Sequence, residues 1–218
     1  MEGTQAKNTD DTKQSWEDIY QRSPLEELPW EENRPTAELV ALIESGIIRK
    51  GTVLDVGCGS GNNVIYLATQ GFVCHGIDIA PTAITYARQK ASKKGARCEL
   101  ITGNTLQLPY TDNTFTLVFD RGCFHSIPPP DRQTYIRSTY RVLKPSGKYQ
   151  LICFSTKDHR DGPPYAFSPK DIQHYFSPLF KIHYIKELSH IRNNSKYYFL
   201  SVLMEKFLHN AYSEPSLT

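Results

Sequence analysis

The stretch VLDVGCGSGN, Val53 to Asn62, constrains this 218-residue chain more than any other. Val and Leu between Thr52 and Asp55 suit a packed, pleated strand. Glycines follow at 57, 59 and 61, and the apolar segment VIYLA, Val64 to Ala68, reads as a helix. Strand, glycine turn and helix make the first half of a nucleotide-holding βαβ unit. That arrangement alone does not name the nucleotide.

The pattern continues as the unit requires. Strands are predicted at 52–56, 72–79, 98–102, 115–120 and 148–154, with helices at 62–69, 81–94 and 131–143, the last stopped by the turn KPSG, Lys144 to Gly147. Such alternation implies parallel strands with helices on both faces. After a short helix at 168–176, segments 180–187 and 197–205 are both strand-like. About nine residues separate them, Asn193 and Asn194 included, too few for a crossover helix, so they are expected to pair antiparallel. The expected fold is α/β: a doubly wound, mostly parallel seven-stranded sheet with a C-terminal antiparallel hairpin. Ahead of it, RPTAELVALI (Arg34 to Ile43) reads as a helix and SWEDIY (Ser15 to Tyr20) as a helical turn or two. This divides the chain into a disordered tail over 1–14, a helical cap over 15–50, the sheet domain over 51–206 and a tail over 207–218.

Composition closes off several alternatives. A net charge of +2 gives no electrostatic case for nucleic acid or an anionic membrane. Five cysteines, odd in number and without a C-x-x-C, support neither a disulfide framework nor a zinc site, so no metal is expected. No apolar run approaches the roughly 18 residues of a membrane span, and the polar N-terminus has no signal-peptide core; the expectation is a cytoplasmic protein.

The loop excludes two ligands outright. A dinucleotide fingerprint wants a third glycine at position 62, where Asn stands, and no G-K-[ST] follows for a phosphate loop of the Walker type. Asp78, at the end of the second strand, can accept hydrogen bonds from a ribose diol. DVGCGSG, Asp55 to Gly61, resembles motif I of the class I S-adenosylmethionine-dependent methyltransferases. Asp78, ITGNT (Ile101 to Thr105), the strand Phe115 to Asp120 and VLKPSG (Val142 to Gly147) agree with that family in order and spacing. The resemblance implies S-adenosyl-L-methionine as cofactor, held by Asp55, Gly57, Cys58, Gly59, Gly61, Asp78, Asn104, Thr105 and Asp120, with Ile79 and Leu106 against the adenine. The family often has Asp where Asn104 stands; the amide oxygen still accepts, without the charge-assisted part.

SWEDIY, PWEENRP (Pro29 to Pro35) and DRGCFHSIPP (Asp120 to Pro129) resemble a small-molecule branch that includes thiopurine, thiol/halide and tellurite-type enzymes. By that resemblance Trp16 and Trp30 close the site, Arg121 sits by cofactor or substrate, and the acceptor is a thiol, halide or related chalcogen. Plainer readings stand beside these. The tryptophans also suit packing of the cap on the sheet. Arg121 also suits a structural pair with Asp120 or Asp131. His125 reads as a general base or as a structural histidine. An N- or O-methyltransferase on a heterocycle or phenol, which would need that base, and a non-catalytic cofactor-binding protein are the alternatives. SIPPP, Ser126 to Pro130, lacks the D/N/S-P-P-aromatic motif of enzymes that act on bases or glutamine.

Overall fold

The computed structural model describes residues 9–160, 162–192 and 194–207. In chain order it runs α1 (Thr9–Arg22), α2 (Ala37–Glu44), β1 (Thr52–Val56), α3 (Asn62–Thr69), β2 (Val73–Asp78), α4 (Pro81–Lys93), β3 (Cys98–Thr102) and β4 (Phe115–Arg121). It then continues through α5 (Arg132–Val142), β5 (Leu143–Ser155), β6 (Ala166–Phe167), α6 (Pro169–Phe176), β7 (Phe180–Arg192) and β8 (Ser195–Lys206).

The strands form one sheet in the order β3-β2-β1-β4-β5-β8-β7, parallel up to β5 and antiparallel thereafter. The expected seven strands are the seven of this path; the two-residue β6, paired with β5, is an eighth that the sequence did not announce. Strand residues alternate between two buried faces, as a sheet covered on both sides demands. Leu54, Val118 and Leu151 pack with α5 and α6 through Tyr135, Ile136, Ile172 and Phe176, while Val53, Leu117 and Phe119 pack with α2, α3 and α4 through Leu39, Val64 and Ile84.

Three boundaries differ from expectation. Helix α1 begins at Thr9, so the expected tail over 1–14 overlaps a helix, and the parts of both tails at 1–8 and 208–218 lie outside the described residues. The KPSG turn lies inside β5, where pairing with β4 shifts register between Phe115 and Leu117 and Ser146 takes φ +61°. Most consequential is the hairpin. Its strands run on until Arg192 pairs with Ser195, so the connection is two residues and not about nine.

The glycine loop leads from β1 into α3. Gly61 caps that helix at φ +86°, and a Cβ there would lie 2.9 Å from the Cβ of Ala87 on α4. Gly61→Val is therefore expected to lose about 1–3 kcal/mol from overpacking and left-handed strain, read as a lowered urea midpoint at unchanged m-value.

Candidate active site

β1 and β4 are neighbours although β2 and β3 lie between them in sequence, and beyond their carboxyl ends a crevice opens where open α/β sheets hold ligands. The glycine loop forms one lip and residues 121–131 the other; the N-terminal cap and the β7–β8 hairpin close over it. The cavity measures about 630 Å³, a size typical of a site for a small molecule or cofactor.

Gly57, Cys58, Gly59, Asp78, Ile79, Asn104, Thr105 and Leu106 all line this cavity, as do Trp16, Trp30, Arg121 and His125. The fold thus brings together most of the residues singled out from sequence. Asp78 accepts from the amide of Gly59 at 2.9 Å and of Ala80 at 3.0 Å, which fixes its carboxylate at the cavity edge. Burial nonetheless pushes its pKa up. Gly59 turns at φ +52°, and the Tyr20 hydroxyl lies 2.9 Å from where its Cβ would be, so a side chain there would push the cap away. Asn104 accepts from the Leu106 amide at 2.9 Å, which leaves one lone pair of its amide oxygen and its NH₂ without a hydrogen bond in that contact.

Three residues of the expected set stand behind the wall and do not line the cavity. Gly61 faces α4. Asp55 is 2 % exposed and accepts from the Val64 amide at 3.1 Å, pinning the start of α3. Asp120 is fully buried and accepts from the hydroxyls of Tyr135 at 2.6 Å and Tyr149 at 2.9 Å and from the amides of Cys123 and Phe124. It holds the shape of the loop that follows β4.

His125 has no free lone pair to act as a base. Its Nδ1 accepts from the Phe154 amide at 3.2 Å, so the neutral ring carries its proton on Nε2, and the ring stacks on Phe154 at 4.7 Å. Burial, with Arg160 and Arg121 nearby, lowers its pKa to about 3. Because the folded value lies below the unfolded 6.5, the stabilisation from this group is complete above pH 6.5 and drains away as pH falls toward 3. Arg121 pairs with neither Asp120 nor Asp131. Its Nη2 meets Glu32 of the cap at 2.8 Å and its Nη1 donates to the Trp30 carbonyl at 3.4 Å.

The cap is fastened by contacts no local spacing announces. Trp16 meets Trp30 edge-to-face at 5.5 Å, and Trp30 donates Nε1 to Tyr20 at 3.0 Å. Both tryptophans pack against the small core of Tyr20, Leu28, Ala80 and Ala83 and also line the cavity. Glu31 is 8 % exposed and takes Lys90 at 3.0 Å, Asn62 at 2.6 Å and the Ser60 hydroxyl. Burial raises its pKa, but these partners outweigh burial and hold it low.

A glycine loop beside a buried carboxylate that lines the cavity, in a crevice at the switch point of the sheet, is the arrangement of α/β proteins that hold a nucleotide-type cofactor. A methyltransferase domain family model matches residues 53–147. A 2-heptyl-1-hydroxyquinolin-4(1H)-one methyltransferase from Mycobacteroides abscessus is 32% identical over 67% of this chain and 66% of its own length. Thiocyanate methyltransferase 1 of Arabidopsis thaliana is 28% identical over 80% of this chain and 77% of its own. In fold, the chain superposes with a TM-score of 0.81 on a structure solved for the conversion of a disulfide bond into a thioacetal group during echinomycin biosynthesis, at 23% identity over 91% of this chain and 94% of that one. This chain belongs to the class I S-adenosylmethionine-dependent methyltransferases, and S-adenosyl-L-methionine is its cofactor.

Proposed function

We propose that the protein transfers a methyl group from S-adenosylmethionine to a small molecule at sulfur or a related soft nucleophile that arrives already ionised. The observation that carries this is the state of His125, whose lone pair is committed to the Phe154 amide. An acceptor that must be deprotonated in place is poorly served by such a ring. A thiolate or halide needs no base.

The cavity suits the cofactor. Gly57 and Gly59 let backbone approach closely, Asp78 faces the ribose, Asn104 and Thr105 with Ile79 and Leu106 receive the base. When bound, the cofactor supplies an electrophilic methyl on a sulfonium. The chain supplies position and dryness. Transfer to an anion cancels charge, so removing water from the nucleophile and holding it in line with the methyl favours the reaction. Trp16 and Trp30, as the lid over the cavity, exclude that water, and an aromatic face near the sulfonium adds about 0.5–2 kcal/mol. Arg121, tied to Glu32 across the cavity, connects lid and acceptor side.

Thiocyanate methyltransferase 1 among the relatives supports the soft-nucleophile reading. All five cysteines are free, which supports a reducing, cytoplasmic setting. No helix among the described residues is long and apolar enough to cross a membrane.

The test is S-adenosylhomocysteine release with thiols, iodide, tellurite, a phenol and an aromatic amine as acceptors. Turnover is expected for the sulfur, halide or chalcogen members. With the best of them, His125→Asn should keep kcat within about threefold and leave the profile above the acceptor's own pKa flat, since His125 does not titrate there. A phenol or amine as best acceptor, with activity lost in His125→Asn, would overturn the reading.

A further inference from the structure

We propose that the acceptor is a thiol that carries a second anionic group, a carboxylate or similar oxyanion, and that Arg192 grips it. This rests on the sulfur reading above and narrows it. Four arginines line the cavity: Arg34, Arg121, Arg160 and Arg192. Three already face a carboxylate: Arg34 and Arg121 share Glu32, at 3.1 and 2.8 Å, and Arg160 holds Asp158 at 2.9 Å.

Arg192 has no carboxylate partner among the described residues. Its Nη2 donates to the carbonyls of Leu28 at 3.0 Å and Glu31 at 3.2 Å, which fixes the plane of the guanidinium. Its Nη1 is buried and has no partner. Glu38 on α2 meets His190 of the same strand through Oε1 at 2.9 Å, and its Oε2 is buried without a partner. A cation fixed through Nη2 by two backbone carbonyls, with its Nη1 donor unused and its residue on the cavity wall, is prepared to meet an anion.

The wall beside it sets the shape of the body that carries that anion. Phe154 stacks on Phe199 at 4.6 Å, and the guanidinium of Arg160 lies 3.6 Å from the Phe154 ring centroid. Tyr197 pairs across the hairpin with His190, two residues from Arg192. A wall of packed aromatic rings carrying a guanidinium suits an aromatic, electron-rich acceptor. An aromatic thiolate with a carboxylate at its far end matches both the wall and the Arg192 guanidinium.

The experiment compares 4-mercaptobenzoate with 4-mercaptobenzamide, which keep similar thiol acidity and shape and differ in the charged end. Two readouts run in parallel: S-adenosylhomocysteine release under turnover, and calorimetric binding of each compound to the S-adenosylhomocysteine complex. The carboxylate should be favoured about tenfold or more in kcat/KM, chiefly through KM, and likewise in binding. In Arg192→Gln that ratio should fall toward one, and Arg192→Lys, which keeps charge but cannot hold both carbonyls through one planar group, should fall between. Equal use and equal binding of the two compounds by the wild-type protein would overturn the proposal, whatever the variants do. A carboxylate preference in binding with no turnover on either thiol would uphold the anion site and count against sulfur as the methylated atom. A preference that survives Arg192→Gln would remove Arg192 from the role.

Discussion

Replacing Asp78 with alanine is expected to weaken S-adenosylmethionine affinity at least tenfold, measured by calorimetry on purified protein. Two effects add. The carboxylate faces the cavity, where a ribose diol would donate to it, and charge-assisted hydrogen bonds of this kind contribute about 1.5–3 kcal/mol each. The same carboxylate accepts from the Gly59 and Ala80 amides, so its removal leaves one donor of the glycine loop and one at the start of α4 unpaired. Asp78→Asn keeps an oxygen for one of them and should lose less. Affinity unchanged in the alanine variant would remove the ribose assignment.

The largest effect on stability is expected at Asp120, where alanine should cost about 3 kcal/mol or more. Two tyrosine hydroxyls and two amides converge on this one buried carboxylate. Each loses its partner on substitution, at about 1–3 kcal/mol for a buried unsatisfied group. The gain from removing a buried charge offsets part of this. Burial is the dominant influence on that carboxyl and, despite the four donors, raises its pKa to about 6. The sign follows. Between the ordinary value of 3.8 and about 6 the folded chain holds a proton that the unfolded chain has released, so this group's contribution falls as pH rises through that window and is constant above it. Across pH 4–7, the denaturant midpoint of the wild type should fall relative to that of Asp120→Asn as pH rises to about 6, and the two curves should run parallel above it. Curves parallel over the whole range would put the titration elsewhere.

The parallel half of the sheet was legible because its strands are buried on both faces and its helices on one, so burial writes an uninterrupted apolar code. The cofactor side was legible for a second reason: the loop, Asp78 and Asn104 each follow a strand at its carboxyl end, and strand position carries them into the crevice. The acceptor side was not. In β7 the residues His190 and Arg192 lie on one face that looks onto a cavity and the cap, and polar side chains there read as loop. The strand end that holds Arg192 therefore passed for a connection. Glu31 and Lys90 meet across 59 residues of chain, and no spacing rule links them. Asp55 and Asp120 had the right strand positions for ligand contact, yet their side chains turn to amides and hydroxyls behind the wall.

The bonds from Arg192 to the Leu28 and Glu31 carbonyls span 164 and 161 residues of sequence. Closing so long a loop carries an entropic cost that only a formed sheet can offset. The cofactor side of the pocket is built on the short-range closure of the first βαβ unit, whereas the acceptor wall depends on the most distant hydrogen bonds among the described residues, the kind of non-local pairing that slows folding.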